Sequence, residues 1–508
     1  MGILADRLVV DLLGIVVALL AVAYVWIKWS YQYWEKRNVP YLPPAFLWGN
    51  ILPPHKRTIS FGEDVANIYK RAKDKGWKYL GIYALTSPVY MPLDLDIIKN
   101  IMSKDFNHFV DRGVYVNEKV EPISAHLFSI GGVKWRNLRT KFSPTFTSGK
   151  MKTMFQTVAK CGSILENYIR NEVDANKPLD IKSVLACYST DIIGSCAFGL
   201  ECNTFKEPDT PFRQFGDRVF NLNKFLVMKL TFANQFPDVA RFLGMRILSK
   251  DIEQFFTKVV DDTIKYRERN NVVRHDFLQM CIDIKNDEEQ SGDGTSLTLE
   301  EIVAQSFVFF IAGFETSSTT MTFTLYELAI NPDIQEKVRN EIKTVLAKHD
   351  NQINYDALNE LKYMGQVIDE TLRKYPPVPF VTRKCVEDYK VPNSDLIIKK
   401  GIRVFIPIRG IHYDEDYYEA SEVFDPERFS DENKQTRHPY AHIPFGEGPR
   451  ICIGMRFGIM QTKVGLLSVL KNFRVSLNKK TSNPLKLSPT SFIPTTEGGI
   501  WLDLNKLN

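Results

Sequence analysis

The sequence predicts a mainly α-helical domain with small β-sheets, carried on an N-terminal transmembrane helix. Three observations carry that prediction. Apolar residues recur with helical spacing through most of the stretch from about 140 to 375. Short β-branched and aromatic runs, such as Val404-Phe405-Ile406-Pro407-Ile408, fall nearer the chain ends. Ahead of everything stands one long apolar segment, Leu8 to Ile27.

That segment has about 20 residues with Asp11 as its only charge, enough to cross a hydrocarbon core roughly 30 Å thick. Tyr24, Trp26, Trp29, Tyr31, Tyr33 and Trp34 read as an aromatic belt, and Lys28, Lys36 and Arg37 accompany it. The positive-inside tendency then places the rest of the chain in the cytosol. There is no basic region before the apolar run and no small-residue cleavage site after it, so residues 1–30 are expected to stay as an anchor. Pro40, Pro43 and Pro44 disfavour a continuing helix and make residues 31–50 a stiff connection. Residues 51–508 are expected to form one large catalytic domain, since no internal repeat or low-complexity linker divides them.

Composition narrows the function. A hydrophobic content of 44% can fill a large core, and a net charge of +5 without any dense Lys/Arg block gives nucleic-acid binding no support. Seven cysteines, odd in number and without a C-x-x-C pair, indicate neither a disulfide framework nor a zinc site. His438 and His442 have helical spacing, but Pro439 lies between them and the pair reads as structural. No G-x-G-x-x-G loop occurs: Gly446-Glu447-Gly448 and Gly292-Asp293-Gly294 lack the third glycine. The acidic stretch from Asn286 to Ser296 reads as a loop between two helices.

The best-delimited helix starts with a capping box, Thr298 with Glu301, and stops near Asn331-Pro332. Its length of roughly 48 Å would carry it through the middle of a domain, with its centre buried. There the sequence reads Ala312-Gly313-Phe314-Glu315-Thr316-Ser317, poor helix sequence inside an apolar run. Two readings stand side by side. Either a local kink makes room beside a flat cofactor, or Gly313 marks a helix crossing and the Thr316 hydroxyl bonds a preceding carbonyl.

Cys452 lies in Phe445-Gly446-Glu447-Gly448-Pro449-Arg450-Ile451-Cys452-Ile453-Gly454, a glycine-bracketed turn leading into a helical pattern. Backbone N–H groups, a cation and a helix N-terminus near sulfur all favour a thiolate, the form that binds a metal. Elsewhere Trp135 and Arg139 stand at i and i+4 and can point at one target, while Glu370 and Arg373 share a helical face before Pro376-Pro377.

The loop pattern F-x-x-G-x-R-x-C-x-G resembles that of the cytochromes P-450. The resemblance extends in order through Ala312 to Ser317, Glu370 to Arg373, Pro426-Glu427-Arg428-Phe429 and the cysteine loop, with Ser317 replacing the commoner second threonine. It implies the cytochrome P-450 fold and a haem-binding domain, with haem b held by Cys452 as axial thiolate. Trp135, Arg139, Arg383 and Arg450 are implied to contact the haem propionates, with Arg112 a further candidate; Phe445 and Ala312 flank the cofactor. Thr316 is implied to hydrogen-bond dioxygen or its water, and Glu315 to relay protons. Glu370, Arg373 and Arg428 are implied to form a buried structural charge network.

The implied activity is insertion of one atom of dioxygen into a lipophilic small molecule, using electrons from an NADPH-dependent FAD/FMN reductase and possible support from cytochrome b5. Lys134, Arg136, Lys141 and Lys463 are candidate reductase-docking cations. The implied location is the endoplasmic reticulum membrane with the catalytic domain in the cytosol. Val114 to Phe128, Phe307 to Phe314, Val378 to Val381 and Ser491 to Ile493 occupy the family's substrate-contact places. The run Phe142-Ser143-Pro144-Thr145-Phe146-Thr147-Ser148-Gly149-Lys150 resembles the microsomal drug- and toxin-metabolising group, insect members of the sixth family above all. A thiolate-haem isomerase or a haem carrier would share Cys452, and the Glu315-Thr316 pair counts against both.

Overall fold

In the computed structural model, which describes residues 2–53, 56–220, 224–291 and 296–507, the first element is a helix of 29 residues, Gly2–Ser30. Val17, Leu19, Leu20, Val22 and Val25 are all exposed on it. An apolar face that finds no protein partner is suited to a hydrocarbon phase, and the helix is long and apolar enough to cross one. Trp34 corrects the expected aromatic belt. It is 1% exposed inside the domain, and its Nε1 donates to Ile82 O at 3.0 Å. An indole buries well where its N–H finds a carbonyl, and that partner is supplied by a strand the local sequence does not reveal.

A four-stranded sheet forms the smaller of two cores. Tyr79–Ala84 pairs antiparallel with Ser87–Pro92, which runs parallel to Arg403–Ile406, which pairs antiparallel with Val381–Lys384. The connecting stretch 31–50 packs onto this sheet, with Tyr41 bridging Gly81 and Gly49 bridging Ala84. A second sheet joins Leu179–Asp180, Trp501–Lys506 and Phe473–Leu477.

The larger core surrounds the central helix Leu299–Ile330, whose 32 residues match the predicted span. Thr298 Oγ1 accepts from Glu301 N and Glu301 Oε2 accepts from Thr298 N, completing the capping box. Most residues from Ile302 to Leu328 are buried, because helices Ile181–Ile193, Lys250–Asn270, Lys362–Lys374 and Met455–Leu470 all pack against it. No turn of it is widened. The helix is α throughout, with Ile193 Cδ1 standing 2.4 Å from where a Cβ on Gly313 would sit. Glycine there serves the close approach of a neighbouring helix. Helix Phe277–Ser291 carries the first part of the acidic stretch expected as a loop, a correction to that reading, and the near-miss Gly292-Asp293-Gly294 lies outside the described residues.

Candidate active site

Gly448 shapes the cysteine loop. Its φ of +72° is a left-handed conformation, and a Cβ would lie 2.0 Å from Met102 O, so only glycine fits. Cys452 N then donates to Phe445 O at 2.9 Å, closing the loop, and helix Met455–Leu470 begins two residues after Ile453 with Gly454 as its cap. The Cys452 side chain is exposed in area although it sits deep in the domain, so its sulfur faces internal space. Burial raises the thiol pKa; the Gly454 N–H and the Arg139 and Arg112 guanidiniums pull it back without prevailing. The protein's own groups therefore favour a thiolate less than the sequence suggested. A bound metal cation would supply the rest, since coordination deprotonates a thiol outright.

Arginines gather around the same space. Arg112 is pushed down to about 10 by burial, opposed by Cys452 and reinforced by Arg139. Arg383 is 1% exposed, and burial with repulsion from Arg112 and Arg450 lowers it strongly. Arg112 Nε and Arg383 Nε are buried without a hydrogen-bond partner. Among the described residues neither these two nor Arg139 pairs with a carboxylate. Burying unpaired cations costs several kcal/mol each, so the cluster calls for an anion.

Arg450 has a different employment. Its Nε donates to Val110 O at 2.9 Å and its Nη2 to Ile130 O at 2.7 Å, while Nη1 reaches Leu127 O and Phe128 O at 3.3 Å. Its guanidinium lies 4.1 Å from the Trp135 ring centre. Arg450 thus ties the cysteine loop to segment 110–130, and Trp135, 3% exposed, backs it.

The central helix reaches this site at Gly313 and Ser317, where Gln461 Nε2 from the helix following Cys452 donates to Gly313 O at 3.0 Å and also to Ser317 Oγ. Ser317, expected as a second hydroxyl of the acid–alcohol motif, is an interhelix tie instead. Ala312, one turn from Thr316, remains exposed inside the domain. Thr316 Oγ1 donates to Ala312 O at 2.6 Å, the second of the two sequence readings. Phe307 and Phe310 are packed core, in contact with Phe256 and Phe198, and Phe492 joins Phe61 and Phe380 in the smaller core.

Glu315 points away from Thr316's partner, toward a cleft of 430 Å³ lined also by Asp180, Lys182, Arg213 and Asp217. Lys182 Nζ lies 2.8 Å from Glu315 Oε1 and donates to Ser318 Oγ and Thr319 Oγ1, both at 2.9 Å. Lys182 could not be found from local pattern because the contact joins residues 133 apart.

Behind the cysteine loop, Arg373 Nε donates to Glu370 Oε2 at 2.7 Å and Nη2 to Glu370 Oε1 at 2.8 Å, with both side chains at 0% exposure. Arg428 Nε stands 3.6 Å from Glu370. His442 stacks on His412, with ring centres 5.3 Å apart, and its Nε2 bonds Asp369 O. A second cleft, of 540 Å³, opens here between Phe445, Glu447, His442, Met455 and Arg456. Of the proposed docking cations, Lys463 is spent internally on Leu358 O and Leu361 O at 2.8 and 2.9 Å. Lys134 is paired with Glu118 at 2.7 Å, and Arg136 bonds Asn107.

An accessible sulfur, guanidiniums near it that lack a carboxylate partner, and an accessible Ala312 on the central helix fit a flat, anionic, metal-bearing cofactor. Fold and site together define an oxidoreductase of the haem-thiolate kind. Residues 39–502 match the profile of the family described as Cytochrome P450, and the chain belongs to that family. It is similar to Cytochrome P450 6a2 of Drosophila melanogaster, 43% identical over 488 residues covering 94% of this chain and 96% of the relative. Cytochrome P450 6A1 of Musca domestica is 41% identical over 494 residues, 96% of each chain. Probable cytochrome P450 6a14 of Drosophila melanogaster is 40% identical over 510 residues, 98% of this chain and 99% of the relative. Membership makes the protein a monooxygenase, and the family implies a haem-thiolate cofactor.

Proposed function

We propose that the protein hydroxylates or epoxidises lipophilic small molecules at the cytosolic face of the endoplasmic reticulum membrane. Foreign compounds such as plant toxins or insecticides are the leading substrates, and endogenous lipids or hormones the second class. The observation that carries the reading is the tie of the central helix at Gly313 to Gln461 of the helix that follows Cys452, with buried arginines that lack a carboxylate partner near the sulfur. Haem b, when bound through Cys452, supplies dioxygen activation, one atom going to substrate and the other to water.

The chain's own groups have separable tasks. Arg112, Arg139 and Arg383 offer N–H donors to the cofactor's carboxylates, while Arg450 and Trp135 hold the loop that presents the sulfur. The Thr316 hydroxyl, in exchanging its bond to Ala312 O for one to dioxygen or its water, can hold a proton there. Glu315 links that hydroxyl's helix turn to the solvent-lined cleft, and Lys182 holds its carboxylate at the cleft wall. Electrons come from an NADPH-dependent flavoprotein reductase, with cytochrome b5 a candidate second donor; the cleft beside Phe445 and Met455 suits a docking protein because it lies on the cysteine side.

Membrane approach has structural support. Phe225, Met228, Phe242 and Leu243 are exposed, with Phe242 at 89%. Gln235 ties this region to Thr86, and Phe46 in the neighbouring turn packs against Tyr24 of the anchor helix, with ring centres 5.5 Å apart. A lipophilic substrate could thus arrive from the bilayer. Product mass analysis over a panel of lipophilic compounds, with reductase and NADPH, tests the proposal. Oxygenated products that require NADPH support it; a panel returned unchanged by a correctly loaded protein would refute it.

A further inference from the structure

Two segments pack against the central helix that carries Ala312. One is the strap 111–130, whose inner end is fastened to the site: Arg450 holds Leu127, Phe128 and Ile130 by their carbonyls, and Leu127 N donates to Gln305 of the central helix at 2.8 Å. The other is the roof formed by helices Pro211–Phe220, Lys224–Gln235 and Pro237–Phe242 with the turn to Leu248. Phe310 and Phe314 of the central helix lie against Gly216, which places the roof over the helix that carries Ala312.

The outer end of the strap is joined to the roof by polar bonds rather than by a hydrophobic core. Glu121 is central to them. It is 0% exposed, and its carboxylate accepts from Ile247 N at 3.1 and 3.2 Å and from Leu248 N at 2.6 Å. Arg246 returns a bond to Val120 O and pairs with Glu253 at 2.9 Å. Tyr115 adds two more ties, donating from its hydroxyl to Met245 O at 2.8 Å and from its N–H to Asn234 Oδ1 at 3.0 Å. Among the described residues the hydrophobic cluster at this junction is small: Tyr115, Ala233 and Ala240, with Met245 and Ile247 packed on it.

A fully buried carboxylate with backbone N–H partners resembles a helix cap, yet here donors and acceptor belong to segments more than a hundred residues apart. Charge-assisted bonds of this kind are strong while made and costly when one partner is removed. They are also discrete, so the seam can open and close as a unit. With little apolar surface to separate, the cost of opening is concentrated in these few bonds.

We propose that Glu121 is a positioning residue that latches the strap to the roof and sets the rate at which bulky ligands enter and leave the site. Opening exposes Ile247 N and Leu248 N together, and closing restores the wall that faces the substrate. The inference rests on the proposed placement of the cofactor and substrate between the strap, the roof and Ala312.

The test uses the full-length haem-loaded protein, with 4-phenylimidazole as a bulky iron ligand and carbon monoxide as a small one, both followed by stopped-flow absorbance. Glu121→Gln keeps the size of the side chain and removes the charge, and Tyr115→Phe removes the bond to Met245 without leaving a buried charge. Release of 4-phenylimidazole should accelerate about tenfold in Glu121→Gln, the scale expected for losing a charge-assisted bond, and by less in Tyr115→Phe. Carbon monoxide binding should be unchanged in both. Hydrogen exchange should show faster amides at Ile247 and Leu248, with the central helix as protected as before.

Unchanged azole release in both variants overturns the latch, as does an equal rise in azole and carbon monoxide rates, which would mean general loosening. If Glu121→Gln cannot be loaded, Tyr115→Phe decides alone: faster azole release supports the latch and an unchanged rate overturns it. Faster Ile247 and Leu248 exchange without any change in azole release would also overturn the gating role. A wild-type protein that fails to bind the azole at iron would instead refute the proposed site, so the two failures are distinct.

Discussion

Removing Arg373 should destabilise the domain more than any surface charge could. Its guanidinium makes a bidentate pair with Glu370, both at 0% exposure, and donates to His412 O at 2.9 Å and Val423 O at 3.3 Å. Glu370 Oε1 also accepts from Asp425 N at 2.9 Å, so the pair joins the Lys362–Lys374 helix to the stretch that leads toward the cysteine loop. Arg373→Ala strands a buried carboxylate that keeps only the Asp425 N–H and Arg428 at 3.6 Å. Breaking a buried pair in this way costs about 3–5 kcal/mol, a large part of a typical folding free energy of about 5–15 kcal/mol. Glu370→Gln strands the guanidinium and belongs in the same range. Replacing both by methionine removes both desolvation costs and should be less damaging than either single change. The assay is urea unfolding in one detergent at fixed ionic strength, read by tryptophan fluorescence, as a double-mutant cycle. A cost for Arg373→Ala below about 1 kcal/mol, the level of an exposed ion pair, would refute the reasoning. So would a double variant as unstable as the sum of the singles, because it would show no coupling.

Further predictions address the site. Gly448→Ala should abolish or sharply reduce cofactor loading, read as Soret absorbance per protein, since its Cβ would meet Met102 O at 2.0 Å; normal loading would contradict the loop geometry. Thr316→Ala should raise peroxide released per NADPH consumed severalfold, since reduced oxygen that cannot be protonated productively leaves as peroxide; unchanged coupling would remove Thr316 from the relay. Lys182→Met should also lower coupling and Lys182→Arg should largely restore it, whereas equal damage in both would leave Lys182 a packing role alone. Acid stability should depend on His442, which burial lowers to about 4, against Asp369 acting to raise it. The unfolded imidazole takes its proton near pH 6.5, before the folded one, so stability is full above about 6.5 and falls as pH drops toward 4. Urea midpoints across that window should fall less steeply for His442→Gln, and an identical slope would contradict the assignment.

The sequence disclosed those features whose cause is local. The capping box at Thr298, the arrest at Asn331-Pro332 and the apolar anchor each depend on neighbours in the chain, and each stands where expected. Gly448 was legible too, because a required left-handed residue leaves glycine as its trace. Side-chain employment was less legible. Nothing near Trp34 reveals that strand Tyr79–Ala84 will offer it a carbonyl, so an indole beside a membrane helix looked interfacial. Gly313 left two readings open, a kink or a helix crossing, and only the neighbouring helix, through Ile193, shows that the crossing holds. Lys182, Gln461 and Glu121 carried no signal at all, since their partners lie far away in sequence. Arg450, expected at the cofactor, also engages four carbonyls of segment 110–130, contacts that left no trace in the local sequence.

The central claim is that Cys452 holds the cofactor iron as a thiolate, although burial alone keeps the free thiol protonated. The most direct test is the absorption spectrum of the reduced, carbon-monoxide-bound protein, compared between wild type and Cys452→His. Wild type is predicted to show the strongly red-shifted Soret band of thiolate ligation, and the variant the unshifted band of an imidazole-ligated haem. A wild-type band already at the unshifted position, in freshly reduced and fully folded protein, would contradict the account.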